Sequence, residues 1–464
     1  MQEIQRSALT MYVSSSPTTT PLHSLDAEEL EAWLSSAPPD QRRWVESSAF
    51  RADPSAWLLV PDSEGQIACV LSGRESGERL WALAHLPGLL PSGDYRLASD
   101  WPEEDIERAL IGWGLGCYRF DKYKRQPEIR PRLALPEECA DRVRCLVDCS
   151  VFVRDLVNTP ALDLGPAELA DVARDLASTH NAACEVIDGE RLEKEFPAIH
   201  IVGQASTRPP RLIRMQWGDP DAPPLALVGK GVMFDSGGLD IKPGSGMVLM
   251  KKDMGGAAHV LGLARIIMTL GLKVNLRVYI PAVENAIAGN AYRPSDIIRT
   301  RNGTTVEIGN TDAEGRVVLS DALTLACEEG AERIIDFATL TGAARVALGE
   351  DLPPLYARDQ SAARTIQDVS FACEDPLWHM PLFDGYRSQI RPAIADLSNT
   401  GTSRFAGSVT AALFLDHFVD PGLDWYHLDI YAWNLGDRPG RPAGGEAQGL
   451  RAIWHWLEDI YGSG

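Results

Sequence analysis

Two carboxylates and a guanidinium are concentrated in the segment Asn310–Arg316, with the sequence NTDAEGR. If the backbone is extended or turning here, Asp312 and Glu314 point to one place, as they do in proteins that bind divalent cations. The alternative is a polar turn in which Asp312 caps a helix beginning near Arg316, with Glu314 in its first turn. The segment alone does not distinguish these two interpretations.

A second charged segment follows a predicted strand at 225–228. The glycine-rich stretch Gly229–Pro243 contains Lys230, Asp235 and Lys242. Its spacing matches neither a phosphate-binding loop nor the G-x-S-x-G turn of serine hydrolases. A lysine and an aspartate five residues apart at a strand end therefore indicate another kind of site.

The third segment contains Asp253, which precedes small residues that open a predicted helix, so a helix cap is again an alternative. If Asp235, Asp253, Asp312 and Glu314 converge, their charges repel one another unless cations neutralise them. Two divalent ions that share bridging carboxylates would meet this requirement.

Predicted strands and helices alternate through the last two-thirds of the chain. Apolar strands are predicted at 212–217, 225–228, 274–280, 334–340 and 425–430, with amphipathic helices between them. This order predicts an α/β fold with a mostly parallel central sheet covered by helices on both faces. Ligands bind beyond the carboxyl ends of the strands in such sheets, so we expect the site there.

The chain has 464 residues, more than the roughly 250–300 at which a single core stops growing. We predict a small N-terminal α/β domain over residues 1–135, and a linker helix followed by a catalytic domain over 136–464. The charged, proline-containing segment Lys122–Pro136 is the predicted linker. Asp26–Glu29 has the capping-box pattern that starts a helix.

Composition limits the possible partners. The chain has 44 Lys and Arg against 65 Asp and Glu, a formal net charge of −21, which disfavours nucleic acid and anionic membranes. It has no apolar run of about 18 residues, and Met1–Arg6 lacks the pattern of a signal peptide, so we expect a cytoplasmic protein. Its eight scattered cysteines include no C-x-x-C pair and predict no disulfide framework.

Taken together, the motifs resemble those of the cytosolic leucine aminopeptidase family, two-metal exopeptidases that remove N-terminal residues from peptides. The resemblance is carried by Gly229–Pro243, Asp253–Ala258 and above all Asn310–Arg316, and it continues through Ala338–Ala343 and His427–Ile430. It covers roughly residues 150–464. We recognise no family motif in the N-terminal third.

The resemblance implies a ligand set for two divalent ions per subunit, Zn²⁺, Mn²⁺ or Mg²⁺. Asp235 and Glu314 would bridge the ions. Lys230 and Asp253 would complete the tighter site, and Asp312 the more exchangeable one. A lysine binds a metal only in its neutral form, which a neighbouring dication can enforce.

The resemblance also implies the catalytic groups. Lys242 would polarise the scissile carbonyl or stabilise its oxyanion, and Arg316 would hold a bicarbonate ion that acts as general base. The nucleophile of the family is a water that bridges the metals. This chemistry is physically consistent, because metals acidify water and a cation at the oxyanion stabilises the transition state.

Five further residues match positions that line the substrate pocket of the family: Met250, Asn310, Thr339, Leu340 and Gly342. Their alternative roles are core or turn residues. The family resemblance further implies peptide substrates and a homohexamer with its active sites facing an interior cavity.

The sequence departs from the family after Ile430, where Tyr431 follows at once and a short stretch is missing. That loop shapes the pocket for the first side chain of the substrate, so the preferred N-terminal residue is left open. We hypothesise that Tyr431 or Trp433 alters this pocket. His259 and His427 match no family ligand, and we expect structural roles for both.

Two other classes of function are possible from the sequence. Some bacterial members of the family are DNA-binding or recombination-accessory proteins, but the negative charge and the lack of an evident basic patch argue against that role. A non-catalytic homologue would be expected to have lost ligands, whereas all the matched ones are present.

Overall fold

The computed structural model describes residues 11–14, 16 and 18–462, which form two compact units. The first unit comprises the described residues up to Val151 together with Leu435–Ala443, and the second comprises the rest. The segment Met1–Arg6, on which the signal-peptide argument depends, lies outside the described residues. Among the described residues, no helix combines the length and apolar character needed to cross a membrane. None of the eight cysteines, all of which are among the described residues, forms a disulfide.

The first unit is built on a six-stranded sheet. Its elements are β1 (Tyr12–Ser14), β2 (Thr20–Leu25), α1 (Ala27–Ser36), α2 (Pro39–Ser47), β3 (Trp57–Pro61), β4 (Ile67–Gly73), β5 (Asp94–Leu97), α3 (Glu103–Cys117) and β6 (Arg132–Leu135). The strand order is β1-β6-β5-β2-β4-β3, in which β3 pairs antiparallel with β4 and the other neighbours pair parallel.

Two predictions fall in this unit. Asp26 and Glu29 form the predicted capping box, in which each carboxylate accepts a hydrogen bond from the main-chain N–H of the other residue. The prediction that Lys122–Pro136 is a linker is wrong for its C-terminal part, because Arg132–Leu135 forms β6 inside the sheet. Leu133 and Leu135 are buried there, and their burial outweighs the charged and proline-rich residues before them.

The second unit contains the larger sheet. Helix α4 (Ala140–Asn158) contains the boundary between the two units. The elements after it are α5 (Pro166–Thr179), β7 (Ala183–Ile187), α6 (Gly189–Glu195), α7 (Pro197–Gly203), β8 (Arg211–Trp217), β9 (Pro224–Gly229), β10 (Gly231–Asp235), α8 (Gly244–Met247), α9 (Gly255–Leu270), β11 (Asn275–Asn285), β12 (Ile297–Arg299), β13 (Thr305–Glu307), α10 (Glu314–Glu328), β14 (Arg333–Ala338), α11 (Gly342–Leu348), β15 (Pro354–Ala357), α12 (Gln360–Ala372), β16 (Trp378–His379), β17 (Leu397–Ser398), α13 (Gly407–Asp416), β18 (Asp424–Asp429), β19 (Trp433–Asn434), β20 (Gly444–Gly445) and α14 (Leu450–Tyr461).

The predicted mostly parallel sheet is confirmed. The order is β16-β15-β18-β14-β9-β11-β8-β7, with β10 paired to β11. The central strands β18, β14, β9 and β11 are mutually parallel, and β10 pairs parallel with β11. Strands β8, β7 and β15 pair antiparallel with their inner neighbours.

Helices cover both faces of the central strand β9, as predicted. Ala226 and Val228 pack in the same apolar cluster as Val318 of α10. Successive residues of a strand face opposite sides, so Gly229 faces the other side. A Cβ at Gly229 would lie 2.5 Å from Val260 Cγ2 of α9, which explains the glycine at this close approach.

The carboxyl ends of β9, β14 and β18 meet at one edge of this sheet because the three strands are parallel. β9 is followed by Lys230, β14 by Thr339 and Leu340, and β18 ends at Asp429. The predicted charged and pocket residues therefore begin where the fold class expects a ligand.

Candidate metal centre

The ammonium of Lys230 connects two of the predicted ligands. Its Nζ lies 2.8 Å from Asp253 Oδ2 and 2.9 Å from Glu314 Oε1. It also donates a hydrogen bond to the main-chain oxygen of Thr339, at 3.1 Å. The Lys230, Asp253 and Glu314 side chains are all buried. Lys230 therefore joins the ends of β9 and β14 to the start of α10 and to the turn before α9.

The ammonium of Lys242 connects the other two carboxylates. Its Nζ lies 2.8 Å from Asp235 Oδ2 and also forms an ion pair with Asp312 Oδ1. Asp235 ends β10, and its second oxygen accepts hydrogen bonds from Gly237 N and Asn285 Nδ2, both at 2.8 Å. The structure thus brings all four predicted carboxylates and both lysines together.

Neither Asp253 nor Asp312 is a helix cap. α9 begins at Gly255 and α10 at Glu314, and neither helix has a side-chain hydrogen bond at its N-cap. The two aspartates form the ion pairs described above instead. The helix-cap interpretation of these residues is therefore wrong.

Residues distant in sequence hold the turn that carries Asp312. The Thr311 N–H donates to Asp240 Oδ2, and Thr311 Oγ1 accepts from the Asp240 N–H, both at 2.8 Å. Asn399 Nδ2 donates to the main-chain oxygen of Asn310, whose own side chain accepts from the Asp312 N–H, both at 2.7 Å. Asn310 therefore shapes the turn. Sequence analysis misses Asn399 because an isolated loop residue forms no motif, and it assigns no role to Asp240 although this residue lies within Gly229–Pro243.

Burial and mutual repulsion raise the pKa of the carboxyl groups. Burial and the charge of Asp235 raise the pKa of Glu314 to about 8 and that of Asp312 to about 6. Burial alone would lower the pKa of Lys230 and Lys242, but the adjoining carboxylates outweigh it and raise both above the usual range. Negative charge in this cluster exceeds what its two lysines neutralise.

The cluster fits divalent cations. One carboxylate oxygen each from Asp235, Asp312 and Glu314 lies within 4.8 Å of the others. Within the described part of the chain, the buried Glu314 Oε2 has no hydrogen-bond partner, and Glu314 Oε1, Asp253 Oδ2 and Asp312 Oδ1 are contacted by the ammonium groups of Lys230 and Lys242. Carboxylate oxygens bind Mg²⁺, Mn²⁺ and Zn²⁺, and Lys230 could add a nitrogen ligand after losing its proton.

Arg316 lies one half-turn along α10 from Glu314. It is buried, and its Nη1 donates to the main-chain oxygen of Asn399 at 2.8 Å. Its Nε has no hydrogen-bond partner among the described residues. Burial lowers the pKa of Arg316 to about 10, which leaves it charged at neutral pH. A buried guanidinium with a donor to spare fits a small anion.

The other predicted pocket residues surround the same strand ends. Thr339 and Leu340 directly follow β14, and Thr339 Oγ1 donates to Asp253 Oδ1 at 2.8 Å. Met250 begins the 3-10 turn that carries Asp253, and Gly342 begins α11. Met250 therefore lies on a segment that supplies the charged cluster, and Thr339 contacts that cluster directly.

The two histidines use their rings within the fold. His259 Nδ1 donates to the main-chain oxygen of Gly255 at 2.6 Å, and its Nε2 accepts from the Gln448 N–H at 2.9 Å. His427 Nδ1 lies 2.5 Å from Asp336 Oδ1 inside the sheet. Both arrangements agree with the structural roles expected from the sequence.

Fold and site together define an α/β enzyme with a buried group of carboxylates and lysines that fits divalent cations. The model of the cytosol aminopeptidase family, catalytic domain, matches residues 151–454. The M17 aminopeptidase N-terminal domain model matches residues 20–136, a relationship that the sequence motifs do not reveal. The chain belongs to the cytosol aminopeptidase family, and it is a metal-dependent aminopeptidase.

Individual relatives agree with this assignment. A probable cytosol aminopeptidase of Syntrophotalea carbinolica is 42% identical over 373 residues, which cover 76% of this chain and 75% of the relative. The crystal structure of a cytosol aminopeptidase from Coxiella burnetii is 48% identical, with a TM-score of 0.95 over 97% of this chain and 99% of that one. The bottromycin maturation enzyme BotP in complex with Mn is 32% identical, with a TM-score of 0.86 over 96% of this chain and 100% of that one.

Proposed function

We propose that this enzyme hydrolyses the first peptide bond of peptides with two divalent ions held by Lys230, Asp235, Asp253, Asp312 and Glu314. The observation that carries the proposal is the convergence of four carboxylates from three segments, with a buried Glu314 oxygen that lacks a hydrogen bond. When bound, such ions would lower the pKa of water to generate the nucleophile and polarise the scissile carbonyl.

Lys242 is the proposed electrophile. Its raised pKa keeps it protonated, and its position between Asp235 and Asp312 fixes the ammonium beside the proposed ligands. A cation held there donates to the oxygen of the scissile carbonyl as negative charge develops on it. Lys242 thereby stabilises the transition state more than the bound substrate.

Arg316 is the proposed holder of a bicarbonate ion that accepts the proton of the attacking water. Its buried charge and unpartnered Nε favour a small anion with several oxygens. A bicarbonate there would give the site a general base.

The identity of the ions and the assembly are further parts of the proposal. We propose Mn²⁺ or Zn²⁺, with Mg²⁺ as a weaker alternative, and the Mn complex of the related BotP supports manganese. We also propose a cytoplasmic location, in line with the names of the relatives, and a homohexamer. Sedimentation at six times the mass of the chain would support the hexamer.

The substitution Asp312→Asn tests the function. It keeps the shape of the side chain but removes one ligand charge, so we expect kcat/KM for an N-terminal leucine reporter to fall about 100-fold or more. Asp368→Asn, at an exposed position of α12, is the matched control and should retain activity. A folded Asp312→Asn protein with normal kcat/KM would overturn the proposal.

A further inference from the structure

Three side chains without a role in the proposed catalysis lie together near the strand ends. Nζ of Lys252 lies 4.6 Å from the centroid of the Tyr431 ring, and Cζ of Arg345 lies 4.5 Å from it. Lys252 belongs to the turn before α9, Arg345 to α11 and Tyr431 to the loop after β18. We call these three residues the cationic tyrosine cluster.

Neither cation of this cluster has a carboxylate partner. Lys252 is 2% exposed, yet within the described residues its ammonium forms no hydrogen bond or ion pair, and the guanidinium of Arg345 also forms none. A buried cation without a partner is unfavourable, and the face of an aromatic ring compensates for only part of the cost.

Two of the three carboxylates whose charges act on the cluster, Asp253 and Asp429, are engaged elsewhere. Asp253 pairs with Lys230 and accepts from Thr339. Asp429 accepts from the N–H groups of Leu340 and Thr341 and from two hydroxyl groups. Burial and the charge of the third, Glu350, raise the pKa of Tyr431. Among the described residues Glu350 forms no ion pair with either cation of the cluster, and its Oε2 has no hydrogen-bond partner.

The cluster adjoins the proposed substrate pocket. A Cβ at Gly342 would lie 3.5 Å from Arg345 Nη2. A Cβ at Gly255 would lie 3.0 Å from Thr339 Cγ2 and 2.6 Å from Ala432 Cβ, so the loop that carries Tyr431 packs against the start of α9 and the end of β14. The cations therefore lie beside the residues expected to contact the first side chain of the substrate.

A buried hydrogen-bond network holds the ring in this place. The N–H groups of Tyr431 and Ala432 donate to Gln448 Oε1, at 3.0 and 2.8 Å. The Gln448 N–H donates to His259 Nε2 at 2.9 Å, and Gln448 Nε2 donates to the main-chain oxygen of Glu350 at 2.6 Å. Ala432 has a φ of 56°, which is strained for a residue other than glycine. These hydrogen bonds position the loop that carries Tyr431.

We propose that Lys252 and Arg345, next to Tyr431, bind the side-chain carboxylate of an N-terminal aspartate or glutamate of the substrate peptide. This inference rests on the proposed aminopeptidase function and names its substrate class as peptides with an acidic first residue. Lys252 contributes more than Arg345, because it is buried whereas Arg345 is exposed to screening by solvent. The C-terminal carboxylate of a dipeptide substrate is a second carboxylate that the two cations could bind.

The test compares reporters with N-terminal glutamate, glutamine and leucine on metal-loaded enzyme. We expect kcat/KM for glutamate to exceed that for glutamine at least tenfold. Lys252→Met should lower this ratio about tenfold or more, Arg345→Met should lower it less, and leucine should change by less than threefold. Lys251→Met is the matched control, because Lys251 bonds to the Asn158 carbonyl instead and should leave the ratio unchanged.

Two further arms separate the alternatives. Dipeptides with a free or an amidated C-terminus, each beginning with leucine, test the terminal carboxylate: a preference for the free form that Lys252→Met abolishes would overturn the assignment to the first side chain. An unchanged glutamate-to-glutamine ratio in folded Lys252→Met would also overturn it. If no reporter is hydrolysed, the proposed function fails. In that case calorimetry on the cationic tyrosine cluster tests the inference. If L-glutamate binds more tightly than L-glutamine and Lys252→Met removes this difference, the inference is supported. Equal binding of the two amino acids overturns it.

Discussion

Lys230 and Lys242 each contact two carboxylates from separate segments of the chain. Buried ion pairs add little net stability, because desolvation offsets most of their attraction. A cluster with four carboxylates and two lysines is therefore a poor device for stabilising a fold. Its arrangement is better explained by chemistry that needs concentrated charge, which is the reason for assigning it to metal binding.

Replacing Lys242 by methionine tests its proposed role as electrophile. The substitution keeps much of the length of the side chain but removes the charge that would meet the oxyanion. We expect kcat to fall about 100- to 1000-fold with a smaller change in KM. Steady-state kinetics would measure both.

Lys273→Met is the matched control for this change. Lys273 is an exposed lysine between α9 and β11, so kcat should stay within about twofold of the unmodified enzyme. If Lys242→Met raised KM and left kcat intact, Lys242 would be a substrate-binding residue and not an electrophile.

Charged residues could be predicted from the sequence because their spacing repeats a family pattern. The residues that hold those charged residues in place could not be predicted. Asn399 lies more than 80 residues from the turn it holds, and only the fold brings the two together. Lys252 is similar, since a lysine beside another lysine looks like a solvated surface pair until the structure shows it buried.

The start of α10 positions several site residues at once. Glu314 is its first residue, and Gly315 follows it against Lys230. A Cβ at Gly315 would lie 2.6 to 2.8 Å from Cδ, Cε and Nζ of Lys230, too close for a side chain at this position. The glycine of the NTDAEGR segment is thus explained by the approach of the lysine.

The substitution Gly315→Ala should displace Lys230 from Glu314. We expect affinity for Mn²⁺ to fall about 10- to 100-fold, measured by calorimetry on metal-free protein. Gly289→Ala is the matched control, since a Cβ there meets nothing and the affinity should be unchanged. Equal affinities for the two variants would remove Lys230 from the proposed ligand set.

Element boundaries in the second unit follow from hydrophobic patterning, and departures have a physical cause. The strand predicted at 274–280 continues to Asn285 as β11, because its last residues pair with β10. The helix expected to begin near Arg316 begins at Glu314. Ala313 precedes it at the N-cap, and no side-chain hydrogen bond caps the helix.

At the level of the whole molecule, the two units differ in how much their sequences reveal about function. The second carries every proposed ligand, and its motifs identify the family. The first has buried apolar strands without a chemical motif, so its membership of the family emerges only from comparison of the whole segment. The segment Leu435–Ala443 groups with the first unit although it is distant in sequence, an arrangement that patterning along the chain does not predict.

Exhaustive chelation followed by metal restoration tests the central claim most directly, with metal content and peptide hydrolysis measured on the same sample. The proposed mechanism predicts that hydrolysis is lost as the metal content approaches zero. It also predicts that Mn²⁺ or Zn²⁺ restores hydrolysis as the content approaches two ions per chain. Full activity in protein with less than about one ion in ten chains would contradict it.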